Sequence, residues 1–178
     1  DYAPMYAMPV KRMLDGPFGL KIKVFFLELI LNKELIRQAT IKDVDQLLEL
    51  QKKWEMEDIT YGFVSASRKQ IEESIKEIVF IFLVNDVIVG FISGRIKTST
   101  GISIFRDGEK YLDIEDLYIE SASRNNGIGK ILFKKIEENA KALGVEKILV
   151  YSSTKDIEKI LHFYKTCGMQ SWYIQMYK

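Results

Sequence analysis

From Leu117 to Lys130 the chain reads LYIESASRNNGIGK, and this is its most informative segment. An apolar strand pattern leads into a polar turn that contains Gly127 and Gly129, and an amphipathic helix pattern follows. The first N–H groups of a helix have no partner inside the helix and lie at the positive end of its dipole. Glycines lack the Cβ that would hold a phosphate away from those N–H groups. The segment therefore predicts an anion site at a strand–turn–helix junction.

Two well-known phosphate-binding turns do not fit this segment. A Walker loop needs a glycine where this chain has Arg124, and a Ser or Thr where it has Ile131. A dinucleotide fingerprint that begins at Gly127 needs a further glycine at the position of Leu132. The turn also does not follow the first predicted strand of the chain. Both classes of nucleotide-binding protein are therefore excluded.

Patterns of apolar residues on both sides of the turn predict alternating strands and helices. Strands are predicted over residues 35–39, 79–84, 87–96, 111–119, 147–151 and 171–177. Helices are predicted after Thr40, after Ser67, from the turn to Leu143, and over residues 156–166. The pair Asn85-Asp86 is typical of a two-residue hairpin turn. This order predicts an α/β (α+β) fold with a mixed central sheet and helices on both faces.

The composition narrows the class of protein further. Lys and Arg number 26 against 25 Asp and Glu, so the chain lacks the basic excess of a nucleic-acid-binding protein. Cys167 is the only cysteine and His162 the only histidine, which excludes an intrachain disulfide and a zinc site of the usual N/S kind. We therefore expect no metal. The longest apolar run, Val24–Leu31, is too short to span a bilayer, and we expect a cytoplasmic protein with no membrane partner.

Residues 1–34 differ in character from the rest of the chain. The first 19 residues contain all three prolines and show no clear period, which predicts an irregular arm. The apolar segment that follows favours a strand through its β-branched and aromatic residues. We interpret residues 1–34 as an N-terminal extension and 35–178 as the main domain. The apolar segment could complete a sheet edge, either within the chain or across a homodimer.

Three motifs, in the correct order, resemble the GNAT acetyltransferases. Arg124–Gly129 is similar to the family's R/Q-x-x-G-x-G/A signature, which binds pyrophosphate. Phe163–Met169 resembles the F-Y-x-x-x-G-F ending of the family's last core helix, and Ile36–Asp43 resembles its first strand and helix entry. The resemblance extends over about residues 35–177. It implies a GNAT fold, in which two splayed parallel strands hold acetyl-coenzyme A.

The resemblance also implies which residues bind the cofactor. The pantetheine arm would lie between the strands at 111–119 and 147–151, against the backbone of Leu117, Tyr118 and Ile119. The pyrophosphate would be bound by Arg124, Asn125, Asn126, Gly127, Ile128, Gly129 and Lys130. We expect a side chain at position 129 to block the phosphate without disturbing the fold. The family often has Asn where this chain has Ile157, so its contact with the cofactor is either dispensed with or made by a neighbour such as Ser153 or Asp156.

For catalysis, the resemblance implies acetyl transfer to a primary amine by direct attack, with a carboxylate base and a tyrosine acid. Glu115 is the favoured base, because Ile114–Ile119 is similar to the corresponding strand of diamine acetyltransferases, and Asp113 is the alternative. The alternation of a strand predicts that Asp113 and Glu115 project to one side and Asp116 to the other. Tyr164 matches the family's general acid.

Other functions stay open at this stage. The acceptor could be a small amine, or instead a protein N-terminus or lysine side chain. A non-catalytic module that binds or senses acyl-coenzyme A is the alternative from another class. Nine carboxylates follow the first helix or surround the central strand, and if they faced the cleft they would favour cationic acceptors: Glu55, Glu57, Asp58, Asp107, Glu109, Asp113, Glu115, Asp116 and Glu120.

Overall fold

The structure is a computed structural model that describes residues 35–173. Its helices and strands follow the order that the sequence predicts, up to the last helix. The elements are β1 (Ile36–Gln38), α1 (Val44–Glu57), α2 (Arg68–Ser74), β2 (Ile78–Val84), β3 (Val87–Thr98), β4 (Lys110–Ile119), α3 (Ile128–Ala142), β5 (Lys147–Val150) and α4 (Ile157–Thr166). The predicted strand at 171–177 is wrong over residues 171–173, which form no strand. Its remainder and the predicted extension, residues 1–34, lie outside the described residues.

The five strands form one mixed sheet in chain order, β1-β2-β3-β4-β5. The first four strands pair antiparallel, whereas β5 pairs parallel to β4 after the chain crosses over through α3. Asn85 and Asp86 connect β2 to β3 with φ of 50° and 64°. Positive φ at both central residues is the conformation of a type I′ hairpin turn, which Asn and Asp tolerate. The mixed sheet and the hairpin turn are thus confirmed.

Helices cover both faces of the sheet, as predicted. Alternate residues of β2 point to opposite sides. Val79 and Ile81 are buried in a core with Leu47, Leu50 and Trp54 of α1. Phe80 faces the other way, where the Lys135 ammonium of α3 lies 5.7 Å from its ring centroid. Leu132, Phe133 and Ile136 of α3 are buried on that second face. Within residues 35–173, no helix is long and apolar enough to cross a bilayer.

An ion pair between the partly exposed Arg37 and the buried Asp43 joins β1 to the start of α1. The Asp43 carboxylate accepts two hydrogen bonds from the Arg37 guanidinium, both at 2.7 Å, and two more from the backbone N–H and hydroxyl of Thr40. The Arg37 hydrogen bond is the main cause that lowers the pKa of Asp43 from 3.8 to about 2, although burial opposes it. The ion pair therefore stabilises the turn that carries the chain from the sheet into α1.

We predict that the Asp43 carboxylate stabilises the fold in a pH-dependent way. Its folded pKa lies below its unfolded pKa, so its contribution is present above about pH 4 and is lost as the pH falls towards 2. The shift corresponds to about 2 kcal/mol. Asp43→Asn should lower the free energy of unfolding at pH 7 by about this amount. In the variant, the free energy of unfolding should also depend less on pH between 4 and 2.

The measurement is urea denaturation between pH 2 and 7, with Asp45→Asn as the matched control. Asp45 also lies in the first turn of α1 and also pairs with an arginine, Arg68, but its side chain is 79% exposed. An exposed pair contributes less than about 1 kcal/mol. Equal losses of stability in the two variants would contradict the assignment.

Gly129 lies where α3 meets α4. A Cβ on Gly129 would be 3.1 Å from Cε2 and 3.3 Å from Cζ of Phe163. These distances are shorter than ordinary van der Waals contact, so a larger side chain must displace the ring. The backbone of Gly129 has no positive φ. Glycine at this position therefore also serves the contact between α3 and α4, which the sequence did not indicate. We expect a substitution here to cost stability in addition to any effect on the phosphate.

We predict that Gly129→Val lowers the free energy of unfolding by about 1–3 kcal/mol, because its methyl groups overpack the contact with Phe163. In a Phe163→Leu background the same substitution should cost less by about 1 kcal/mol, because the smaller side chain makes room. Denaturation of the four proteins of this double-mutant cycle measures the coupling. Additive losses would show that Phe163 is not what excludes a side chain at Gly129.

Candidate functional site

The candidate site is a cleft between β4 and β5. The two strands pair only from Tyr111 to Ile114 on β4, and β5 ends at Val150. Beyond Ile114, the edge of β4 that faces β5 has no strand partner among the described residues. The cleft that opens there has a volume of ≈ 840 Å³ and is lined by both strands, the turn before α3, and α4. An unpaired strand edge exposes N–H and C=O groups that can bind an extended ligand.

The predicted phosphate turn closes one end of the cleft. Gly127, the residue before α3, has a φ of 78°, a left-handed conformation that favours glycine. A Cβ on Gly127 would have no atom within 4 Å, so the space beside this backbone is open. Asn125 is also left-handed, with a φ of 64°. Lys130 lies in the first turn of α3 and lines the cleft. The turn thus combines open backbone, a helix start and a cation, as an anion site requires.

Nearly all of the predicted cofactor-binding residues line this cleft. The exception is Asn126, whose amide donates instead to the Ser123 carbonyl at 3.3 Å. The residues of the cofactor set that line the cleft are Leu117, Tyr118, Ile119, Arg124, Asn125, Gly127, Ile128, Gly129, Lys130 and Ser153. Asp156 also lines it, but its carboxylate caps α4 by accepting from the Lys159 N–H at 3.1 Å. Ser153 is therefore the better substitute for the Asn that the motif lacks.

Arg124 lines the cleft, but its side chain is held by other residues of the protein. One of its terminal nitrogens, Nη2, lies 2.5 Å from Oε2 of Glu57, the last residue of α1. Its Nε donates to the Ile119 carbonyl at 2.8 Å, so that carbonyl of β4 already has a partner. The Tyr118 hydroxyl donates to the other carboxylate oxygen of Glu57 at 2.7 Å. These contacts link α1, β4 and the phosphate turn.

A β-bulge in β4 changes which carboxylates share a face. Ser93 of β3 pairs with Asp116, but the adjacent Gly94 pairs with Ile114, so Glu115 is the extra residue. The residues Ser93, Arg95 and Lys97 alternate along β3 and therefore point to one face. They contact Asp116 at 3.4 Å, Glu115 at 3.3 Å and Asp113 at 2.6 Å, respectively. The prediction that Asp116 points away from Asp113 and Glu115 is therefore wrong.

The three carboxylates differ in what surrounds them. Asp113 is paired with Lys97 and does not line the cleft, whereas Glu115 and Asp116 do. Glu115 is exposed and lies beside the guanidinium of Arg95. Burial raises the pKa of Asp116, the neighbouring charge of Glu115 raises it further, and the Ser93 hydroxyl partly offsets both. A carboxylate with a raised pKa is a stronger proton acceptor near neutral pH.

Sequence reasoning missed Asp116. A strict alternation of side chains removes it from the site, and only the cross-strand register restores it. The one available signal was its position beside Glu115, because a bulge places two successive side chains on the same face.

Tyr164 of α4 lines the same cleft. Its ring packs edge-on against Phe163 and Phe133, with centroid distances of 5.0 Å and 6.1 Å. Burial raises the pKa of the phenol, and the nearby Cys167 and Asp116 raise it further. The hydroxyl therefore stays protonated at neutral pH and can act as a proton donor. The structure thus brings Glu115, Asp116 and Tyr164 to one cleft and leaves Asp113 outside it.

The loop at 58–64, after α1, forms one wall of the cleft. It is tied to the segment after β5 by an antiparallel bridge between Thr60 and Thr154. The Tyr61 N–H donates to the Ser153 carbonyl at 2.8 Å, and the Lys155 N–H donates to the Ile59 carbonyl at 2.9 Å. Six residues of the loop line the cleft: Ile59, Thr60, Tyr61, Gly62, Phe63 and Val64. This wall is mainly apolar and aromatic.

The predicted acidic lining is largely absent. Of the nine carboxylates considered above, only Glu115 and Asp116 are among the residues that line the cleft. Others contact groups elsewhere, such as Glu120 with Lys53 and Asp58 with Lys155, both at 2.5 Å. Arg124, Lys130 and Lys159 line the cleft as well. Over residues 35–173, His, Cys, Asp and Glu side chains form no group of three that could hold a metal ion.

Comparison with known proteins agrees with this geometry. The family model described as Acetyltransferase (GNAT) family matches residues 34–169. An amino-acid acetyltransferase of Pasteurella multocida is 29% identical over 139 residues, which are 78% of this chain but only 28% of that protein. The chain thus spans little more than a quarter of the length of this curated relative.

Solved structures share the fold. A four-fold mutant of the BH1408 protein of Bacillus halodurans superposes with a TM-score of 0.65 at 19% identity, over 80% of this chain and 97% of that one. A predicted acetyltransferase of Clostridium acetobutylicum, solved with acetyl-CoA, gives a TM-score of 0.61 at 18% identity, over 80% and 94% of the two chains. Because the family model covers most of the chain, and the splayed strands and phosphate turn fit it, the chain belongs to the GNAT acetyltransferase family.

Proposed function

We propose that this protein is an N-acetyltransferase that transfers the acetyl group of acetyl-coenzyme A directly to a primary amine. The observation that carries the proposal is the unpaired edge of β4, which leads from two carboxylates to an open helix start. An extended amide-containing arm can bind along that edge while its phosphates meet the helix. Few other ligands combine these two features.

The residues present fit this cofactor. The backbone of Leu117 and Tyr118 would bind the pantetheine arm, and the N–H groups at the start of α3 would bind the pyrophosphate, with Lys130 adding charge. The open space beside Gly127 leaves room for a phosphate. Ser153 lies across the cleft from β4 and can donate a hydrogen bond to the arm. When bound, the cofactor supplies an acyl thioester that is open to nucleophilic attack.

The acceptor amine must lose a proton, since the pKa of a lysine-like amine lies near 10. Glu115 and Asp116 line the cleft, and either can accept that proton directly or through water. We propose that this pair, rather than Asp113, is the base, because Asp113 lies outside the cleft with Lys97 on its carboxylate. Tyr164 donates a proton to the departing thiolate, a role that its protonated phenol permits.

The acceptor is the less defined partner. The name of the Pasteurella relative supports an amino acid as one candidate, and a protein N-terminus or lysine side chain is another. The cleft has three carboxylates, of which Asp156 caps α4, and its loop wall is mainly apolar, so we favour a small amine over a highly charged polyamine. A non-catalytic module that senses acyl-coenzyme A would need neither the base pair nor Tyr164.

The primary test is release of free thiol from acetyl-coenzyme A with a panel of acceptors: amino acids, monoamines, polyamines, aminoglycosides and peptides. We expect thiol release with at least one amine, matched by acetylated product in mass spectrometry. Cofactor binding in calorimetry without turnover on any acceptor would support the sensing module. Absence of cofactor binding would reject the proposal.

We predict that the proton acceptor can be located by three isosteric variants. Glu115→Gln and Asp116→Asn should each lower kcat/KM by about 10- to 10,000-fold, because each removes part of the base pair. Asp113→Asn should change it by less than about 3-fold, since it lies outside the cleft. Because burial raises the pKa of Asp116, kcat/KM should rise with pH through a pKa above the usual carboxyl range. A large loss in Asp113→Asn alone would contradict the assignment.

Tyr164→Phe removes only the hydroxyl and keeps the ring contacts with Phe133 and Phe163. If the phenol protonates the thiolate, kcat should fall by about 10- to 1000-fold with little change in cofactor affinity. Single-turnover kinetics and calorimetry measure the two quantities separately. An unchanged single-turnover rate would show that Tyr164 serves packing only.

A further inference from the structure

A continuous set of contacts runs from the 58–64 loop to the phosphate turn. The Trp54 ring stacks on Phe63 at 4.0 Å and on Tyr118 at 5.1 Å, and its Nε1 donates to the Thr60 hydroxyl at 3.0 Å. The guanidinium carbon of Arg124 lies 5.4 Å from the Tyr118 ring centroid, within cation–π range. The loop, α1, β4 and the turn are therefore packed as one unit.

Arg124 lies at the end of this unit, and its side chain contacts three other residues. It bonds Glu57 and the Ile119 carbonyl, and it packs on Tyr118. Its side chain is 24% exposed and that of Glu57 is 22% exposed, so both charges are largely removed from water. To reach a phosphate, the guanidinium would have to leave these contacts. The Glu57 carboxylate would then lie beside the buried Tyr118 ring without its cationic partner. Breaking a pair that is largely buried is costly.

We propose that Arg124 is a positioning residue, which locks the 58–64 loop to the phosphate turn and does not itself bind phosphate. This inference rests on the proposed function. In this arrangement the phosphate charge is met by Lys130 and the backbone N–H groups of the turn. Arg124 acts through Glu57 and Tyr118 on the 58–64 loop, which lines the same cleft as Glu115 and Asp116 and would therefore border the acceptor amine. Loss of the lock should therefore weaken acceptor use more than cofactor binding.

Arg124→Lys separates the two roles. Lysine keeps a positive charge that could bind a phosphate. It lacks the planar guanidinium that donates hydrogen bonds to both the Glu57 carboxylate and the Ile119 carbonyl. Glu57→Gln is the matched partner variant, because it breaks the ion pair without touching the phosphate turn. Lys130→Gln serves as the positive control for loss of a phosphate contact.

We expect Arg124→Lys and Glu57→Gln to behave alike. Each should raise the acceptor KM by about 5- to 20-fold, with less than about 3-fold change in the Kd of coenzyme A by calorimetry. In the free proteins, amide hydrogen exchange over residues 58–64 should quicken in both variants. Lys130→Gln should instead weaken coenzyme A by about 5- to 20-fold and leave exchange of the loop unchanged.

Two results would contradict the proposed role of Arg124. In one, an Arg124→Gln protein loses coenzyme A affinity about 10-fold while Glu57→Gln binds as tightly as wild type, or more tightly because Arg124 is released. In the other, exchange of residues 58–64 is unaffected by either variant. If wild-type protein does not bind coenzyme A at all, the proposed function fails, whereas the exchange measurement on the free proteins still tests the lock.

Discussion

The site depends on the length of one strand. β4 has ten residues and β5 has four, so the parallel pairing stops at Ile114 and the rest of β4 faces an opening. The segment after β5 pairs instead with the 58–64 loop, which holds it away from β4. Backbone N–H and C=O groups on the open edge need partners, because an unpaired polar group removed from water is unfavourable. An extended ligand with amide groups is the natural complement to such an edge.

A second constraint is the bulge at Glu115. One extra residue in β4 places the carboxylates of Glu115 and Asp116 on the same face, just where β4 separates from β5. Burial raises the pKa of Asp116, and the neighbouring charge of Glu115 raises it further. The interruption of the sheet and the juxtaposition of the two carboxylates are therefore produced by the same short stretch of β4. A strand with regular alternation would have placed Asp116 on the opposite face.

Features of the fold and the site that depend on a few neighbouring residues could be predicted from the sequence. The hairpin at Asn85-Asp86 and the helix start at Gly127 follow from residues that tolerate positive φ, and both are where the patterns predict them. The bulge depends on the register between two strands, and the Glu57–Arg124 pair joins residues 67 positions apart, so neither leaves a local pattern. At Gly129 the structure adds a helix-packing contact that no local pattern indicates, because Phe163 comes from a helix that is distant along the chain.

Charge along the cleft supports one orientation of the cofactor. Lys130 lines the cleft in the first turn of α3, and at the start of α4 Lys159 is balanced by Asp156, which also lines the cleft. Glu115 and Asp116 line it near the point where β4 and β5 separate. A molecule with phosphates at one end and a neutral thioester at the other fits both regions when its phosphates lie at the start of α3. The reversed orientation would place phosphates against carboxylates. In the proposed function, the same separation leaves Glu115 and Asp116 available to an incoming amine, because the phosphates are bound at a different set of charges.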